Sequence, residues 1–456
     1  MKRLTVVLIV MVFMFFVSLS AVMAQPIDYC EGNFDNDLDQ DGSDAFVFKT
    51  DFGRSSLLNP CPVIACQTAE ELGIEIEQLK TQVAQLTALL TNVTRDGNDI
   101  TFSGVNVHIV DGSGDTYGAV NGLGNLIVGY NELGNPYGDN RTGSHNIVVG
   151  AYQSYSSFGG LVAGQGNTIS GQYASVSGGA YNTVSGYTAS VSGGSLNQSS
   201  GFFSSVTGGR YNEASGEYSF VGGGGFDDPY YTNRAFGDYS AILGGRANVA
   251  GDPVLTDHAI GRASTVSGGE FNIASGSYAS VSGGFSNTAS NYVATVSGGG
   301  GNIASGSYAS VSGGSMNTAN GDAASVSGGG LYNIARGNLS SVSGGEHNTA
   351  IGYYSCVSGG YHNQAIGDHS FVGGGGSDNP AWANYAVADY SAILGGADNT
   401  AGDPNRVDST IGQWSTVSGG RDNIASGAYS SVSGGRGGSA AGSDDWVAGD
   451  CYFCEE

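Results

Sequence analysis

Residues 280–296 read Ser280-Val-Ser-Gly-Gly-Phe-Ser-Asn-Thr-Ala-Ser-Asn-Tyr-Val-Ala-Thr-Val296, and Val296 to Val311 repeats the pattern 15 residues on. Aligned on this valine, the unit passes through Val162, Val176, Val191, Val206, Val221, Ile242, Val266, Val281, Val296, Val311, Val326, Val342, Val357, Val372, Ile393, Val417 and Val432. Its consensus is Ser-Val-Ser-Gly-Gly-x-x-Asn-Thr-Ala-Ser-Gly-x-Tyr-Ala. A short fixed period cannot bury a face alone and must stack on copies of itself. Alternation turns the valine to one side and its flanking serines to the other. Glycines mark two corners in each unit, where φ > 0 is needed. The expected fold is mostly β, a parallel β-roll or β-solenoid of about 15-residue coils.

Stacking in register has consequences for every column. Asn182, Asn197, Asn212, Asn272, Asn287, Asn302 and Asn317 fall on one corner and are expected to form an amide ladder. Tyr173, Tyr218, Tyr278, Tyr308, Tyr354 and Tyr429 share another file and are expected to stack. The core is thin. One valine, one or two alanines and an aromatic per coil barely offset the ordering entropy at about 25 cal/mol per Å². Three such walls around a common axis would bury more, which favours a homotrimer.

The repeat is broken twice in the same way. Phe220 to Gly269 recurs as Phe371 to Gly420, 151 residues later, with six extra residues before Ile242 and Ile393 and nine before Val266 and Val417. These insertions carry Asp227-Asp-Pro-Tyr-Tyr231, Gly251-Asp-Pro253, Asp378-Asn-Pro-Ala-Trp382 and Gly402-Asp-Pro404. Loops on a rigid stack are natural contact points, so Tyr230, Tyr231 and Trp382 are the candidate ligand contacts, toward glycan or protein surfaces.

Upstream of the repeats the pattern changes. Leu72, Ile76, Leu79, Val83, Leu86, Leu90 and Val93 step by four and three, a heptad seam that predicts a coiled coil over 67–94. Asp96-Gly97 is expected to end that helix. Residues 95–150 form a β transition segment that includes Val105 to Val110, 151–435 the repeats, and 436–456 a C-terminal tail. At the other end, Lys2, Arg3, an apolar run and Val22-Met23-Ala24 have the order of a secretory signal peptide over 1–24. Its removal would take the net charge from −25 to −27. Such a surface repels nucleic acid. In an exported chain, Cys30, Cys61, Cys66, Cys451 and Cys454 read as disulfide formers across 25–66 and the tail, while Cys356 stands where other repeats have Ser and reads as a lone buried thiol.

Ser280-Val-Ser-Gly-Gly284 and Ala289-Ser290 resemble the head repeats of trimeric autotransporter adhesins, the YadA-like family, over roughly residues 120–435. The resemblance implies a left-handed parallel β-roll, a trimeric coiled-coil stalk, attachment to host, matrix or neighbouring-cell surfaces, and a place outside the cell or at the outer membrane. Two departures are a repeat of 15 residues where that family has 14, and Gly at its second core position. The sequence up to Glu456 has no alternating strands like that family's membrane barrel, so self-translocation and barrel anchoring are not implied. Separately, Asp35-Asn-Asp37-Leu-Asp39-Gln-Asp41-Gly42-Ser-Asp44 resembles a dockerin or EF-hand-like calcium loop. The resemblance assigns Asp37, Asp39 and Asp41 as ligands, with Asp44 or Asp51 closing the site in place of an acid at Phe48. One loop stands where a dockerin carries two, so cohesin docking is not implied.

Signals for catalysis are weak. His347 and His362 lie one repeat apart, but their column also holds Tyr181, Leu196, Phe271 and Met316, and no second ligand type joins them. Gly222–Gly225 lacks the Lys and helix of a phosphate loop. The expectation is a non-enzymatic, exported, adhesin-like trimer. A monomeric carbohydrate- or surface-binding solenoid is the alternative, and a polysaccharide-active solenoid enzyme the third reading.

Overall fold

The computed structural model describes residues 69–252 and 257–448. They belong to two units, one ending at Val107 and one beginning at His108. Residues 1–24, expected as a leader, the acidic 25–66 segment and the last eight residues lie outside the described residues.

In the first unit, helix α1 spans Ala69–Leu89. Glu70 and Glu71 in its first turn suit the positive end of the helix dipole, and Lys80 Nζ reaches Glu77 Oε1 at 2.7 Å. No described residue covers its seam. Leu72, Ile76, Leu79 and Val83 are all exposed, Val83 at 60 %. The helix stops short of the expected residue 94 because Val93–Asp96 (β1) pairs antiparallel with Asp99–Phe102 (β2). Asp96-Gly97 turns that hairpin and does not cap the helix; Gly97 has φ +55° in a two-residue loop. Val105–Val110, expected as extended β, carries no strand.

The second unit is the parallel solenoid. One ladder of twenty strands runs from Leu126–Val128 to Trp446–Val447, and a second of eighteen from Ser154–Tyr155 to Ser439–Ala440, among the described residues. Each end strand has a single neighbour, so both are open ladders. The coils therefore outrun the 151–435 stretch at both ends. Register is strict: Val281 pairs with Val266 and Val296, and Ala289 with Ala274 and Ala304. Nineteen steps at about 4.8 Å give a stack of roughly 90 Å.

Two apolar files and a third of mixed alanine and serine close the interior. The valine file is at most 1 % exposed from Val148 to Val432, and the alanines of the second strand, such as Ala289 and Ala304, are fully buried. The third file, two residues before each valine, alternates Ala279, Ala294, Ala309 and Ala324 with serines such as Ser340 and Ser355, also buried. The fourth inner file is asparagine. Asn302 donates its backbone N–H to Asn287 Oδ1 at 3.0 Å, and its Nδ2 to Gly298 O at 2.8 Å and Gly314 O at 3.0 Å. Its own Oδ1 accepts from the N–H of Asn317 at 3.0 Å. The expected ladder is present and supplies hydrogen bonds where apolar area is scarce.

Two expectations are corrected here. The aromatics are not part of the core. Tyr278, Tyr308 and Tyr429 stand outside, half or more exposed, because their corner residues take the left-handed conformation, with φ +59°, +59° and +58°. That conformation costs a non-glycine residue about 1–2 kcal/mol. A bond to the preceding coil holds each corner, as when Tyr308 N–H donates to Tyr292 O at 2.8 Å. The corner glycine two residues earlier is needed for a different reason: at Gly306 an added Cβ would lie 2.0 Å from Gly321 O. The file tolerates exceptions at Asn291 and Ala388. The second correction concerns the core. It closes within one chain, so a thin core no longer argues for three chains.

Candidate binding site

The filled interior leaves the outside, and the places where the repeat is broken, as the chemistry the solenoid can present. The first insertion of each block ends in a single 3-10 turn, Pro229–Tyr231 or Pro380–Trp382. Proline presets φ for a first turn, and the residue before it caps it. Asp228 Oδ1 accepts the Tyr230 N–H at 2.9 Å, and Asn379 Oδ1 the Ala381 N–H at 3.1 Å. Tyr231 O then accepts from Ala247 N–H, and Trp382 O from Asp398 N–H, so both turns rejoin the solenoid at the same corner.

The structure brings the expected contacts Tyr230 and Tyr231 together, with ring centres 5.3 Å apart. Tyr231 also meets Phe226 at 5.8 Å and Phe271 at 5.8 Å, and Phe271 meets Phe285 at 5.9 Å. Tyr230 is 71 % exposed. Arg246 lies 5.5 Å from the ring centres of both Phe226 and Tyr231 and pairs with Glu270 at 2.8 Å. In the second block Trp382, 40 % exposed, has Arg421 over its ring at 4.5 Å. Arg406 covers Tyr385 at 3.6 Å and contacts Asp398 at 3.5 Å. Burial and a hydrogen bond with Asp422 hold the Asp398 carboxyl above the usual carboxylate range. These aromatic–arginine pairs join residues from different coils and have no contiguous sequence signature.

The second insertion is anchored by Asp403, 2 % exposed. Its carboxylate accepts the N–H groups of Asn405, Val407 and Asp408 at 2.8, 3.1 and 3.2 Å, and these bonds, Asn405 first, push its pKa down. The recurring Gly-Asp-Pro was the available signal for this anchor.

Elsewhere the files behave as surface. Tyr354, His369, Tyr390, Trp414 and Tyr429 stack at 5.2, 4.8, 4.1 and 6.3 Å. Because they lie face to face along the stack, they offer mainly edges to solvent. His347 and His362 stack 4.6 Å apart, their planes 12° from parallel, and do not converge on a common point. Among the described residues no cluster of three or more His, Cys, Asp or Glu could hold a metal. Cys356 is a half-buried free thiol beside Ser341 and Phe371. The calcium candidates Asp37, Asp39, Asp41, Asp44 and Asp51, and Cys30, Cys61, Cys66, Cys451 and Cys454, lie outside the described residues. No described helix is long and apolar enough to cross a membrane. No family model and no curated protein matches the chain.

Proposed function

We propose that this protein is an exported, non-enzymatic, adhesin-like protein of the cell surface, whose solenoid presents its repeat-breaking loops to an extracellular glycan or protein surface. One observation carries the reading: the repeat is filled and hydrogen-bonded inside, while each block's Pro-capped turn places aromatic side chains in solvent. Aromatic and arginine side chains are the types that dominate binding energy at contact surfaces. Export rests on the leader-like residues 1–24, and the YadA-like resemblance supplies the adhesive role.

The same proposal includes self-association through α1, as a homotrimer. The exposed seam of Leu72, Ile76, Leu79 and Val83 supports it, since an apolar heptad stripe of this kind is normally covered by another helix. A second reading, a monomeric surface-binding solenoid, is favoured by the core closing in one chain. Calcium bound by Asp37, Asp39, Asp41 and Asp44 or Asp51 would order the acidic N-terminal segment.

The test uses the full chain from Gln25 onward. Sedimentation should give three times the mass of one chain, and Val83→Asp should reduce it to one; a single-chain mass in the wild type sinks the trimer. Immobilised protein should retain on cells and on glycan or matrix-protein arrays, and retention on none of them refutes adhesion. Calcium titration should raise the melting temperature in the wild type and not in Asp39→Ala.

A further inference from the structure

The two insertion blocks repeat in chemistry as well as in sequence. Tyr231 and Trp382 are equivalent positions, 151 residues apart, each closing an equivalent turn. Each ring is backed by an arginine, Arg246 at 5.5 Å or Arg421 at 4.5 Å. Those arginines are not equivalent. The position matching Arg246 is Ala397, and the one matching Arg421 is Glu270. The two copies thus reach the same aromatic–cation pair with arginines of one file but of different coils, one coil past Tyr231 and two coils past Trp382, which a loop serving only as a spacer would not require.

The pair also indicates what it would hold. Both guanidinium groups are already engaged, Arg246 by Glu270 at 2.8 Å and Arg421 by Asp422 at 3.7 Å. Asp227 and Asp228 flank the first turn, in a chain of net charge −25. An anionic ligand would meet repulsion here, and the arginines described at the two turns, Arg246 and Arg421, are already paired with carboxylates. An aromatic face carries negative quadrupole density, which attracts the weakly positive C–H groups on the flat side of an uncharged sugar ring. Because the aromatic side chains of these turns stand on the outer surface, Tyr230 71 % and Trp382 40 % exposed, recognition is of an extended chain lying across the surface.

Spacing supplies the rest. From Val221 to Val372 the ladder takes nine steps, so the two turns sit at the same coil corner about 43 Å apart at 4.8 Å per step. Two matched weak sites on one rigid stack favour a long repeating ligand, because the second contact forms within the complex already made. We propose that Tyr231 and Trp382 form a matched pair of platforms that bind a neutral polysaccharide bivalently. This rests on the surface-binding reading above and names its ligand class.

The experiment compares a soluble neutral galactomannan or β-glucan with a trisaccharide cut from the same polymer, by affinity electrophoresis and by Trp382 fluorescence read in a Trp414→Phe, Trp446→Phe background. The polymer should bind about 10²-fold more tightly than the trisaccharide. Tyr231→Ala and Trp382→Ala should each reduce polymer affinity to the single-site level, and the double variant should abolish it. Tyr308→Ala, on a different file, should leave binding unchanged. Trisaccharide should perturb Trp382 emission in that background and when Tyr231→Ala is added to it. Equal affinity for polymer and trisaccharide overturns bivalency. Retention by the double variant, or binding confined to acidic glycans or to proteins, overturns the platform assignment. If wild-type protein still adheres to cells and the double variant adheres equally, this inference fails while the adhesin reading stands.

Discussion

A methyl group added at Gly299 and one added at its neighbour Gly298 should have very different consequences. At Gly299 the new Cβ would sit 2.1 Å from Gly314 O and 2.6 Å from Asn302 Nδ2, on a backbone with φ +87°. Ordinary contact needs about 3.5 Å, so the next coil must retreat by more than an ångström at that corner. Gly314 O accepts from Gly300 N–H and from Asn302 Nδ2, both at 3.0 Å, and neither bond survives such a shift. Losing two hydrogen bonds at about 1 kcal/mol each, the left-handed backbone at about 1–2 and the overpacking at about 1–3 gives roughly 4–7 kcal/mol. At Gly298 nothing lies within 4 Å of the added atom and φ is not positive, so Gly298→Ala should stay within about 0.5 kcal/mol of wild type. Because coils contact only their neighbours, the loss should be local. Hydrogen exchange at Gly300 and Ser315 should accelerate by about 10³- to 10⁵-fold in Gly299→Ala, at 1.36 kcal/mol per tenfold, and hardly at all in Gly298→Ala. Equal protection in the two variants would refute the close-approach argument.

Three further outcomes follow from the inner files and the loop anchor. Asn302→Ala leaves Gly298 O and Asn317 N–H without their side-chain partner inside the stack and should cost about 3–5 kcal/mol in urea unfolding; a loss below about 1 would remove the ladder as a stabilising element. Ser355 Oγ is buried with no hydrogen-bond partner among the described residues, in a file where Ala309 and Ala324 also fit, so Ser355→Ala should stabilise by about 1 kcal/mol, and a destabilised variant would contradict the assignment. Asp403 is held ionised, so its contribution is present above the unfolded carboxylate value and is lost as pH falls through its lower folded value, while Asp398, raised, acts in the opposite sense and favours the fold below its own titration. Acidification should therefore release peptide 402–414 in hydrogen exchange while the Asp398–Asp422 contact persists, and Asp403→Asn should flatten the pH response; a pH response of 402–414 that is the same in wild type and Asp403→Asn would refute it.

Much of this was legible because register in a solenoid is a property of the period. Once Val281, Asn287 and Ala289 recur every 15 residues, stacking alone puts like on like, and the valine core, the asparagine ladder and the aromatic files follow. The paired insertions, and Tyr230, Tyr231 and Trp382 within them, were visible as departures from the same period.

What the sequence could not carry is which way a corner faces and what reaches it from another coil. Tyr308 reads as a core aromatic until its left-handed φ turns the ring outward, and Gly306 reads as a φ device until the carbonyl of Gly321 is found where a side chain would go. The platforms are decided the same way: Tyr231 meets Arg246 one coil on, and Trp382 meets Arg421 two coils on, only because the coils stack at one strand spacing each. Periodicity fixes what repeats along the chain, whereas distances across the stack depend on backbone geometry that no single repeat contains.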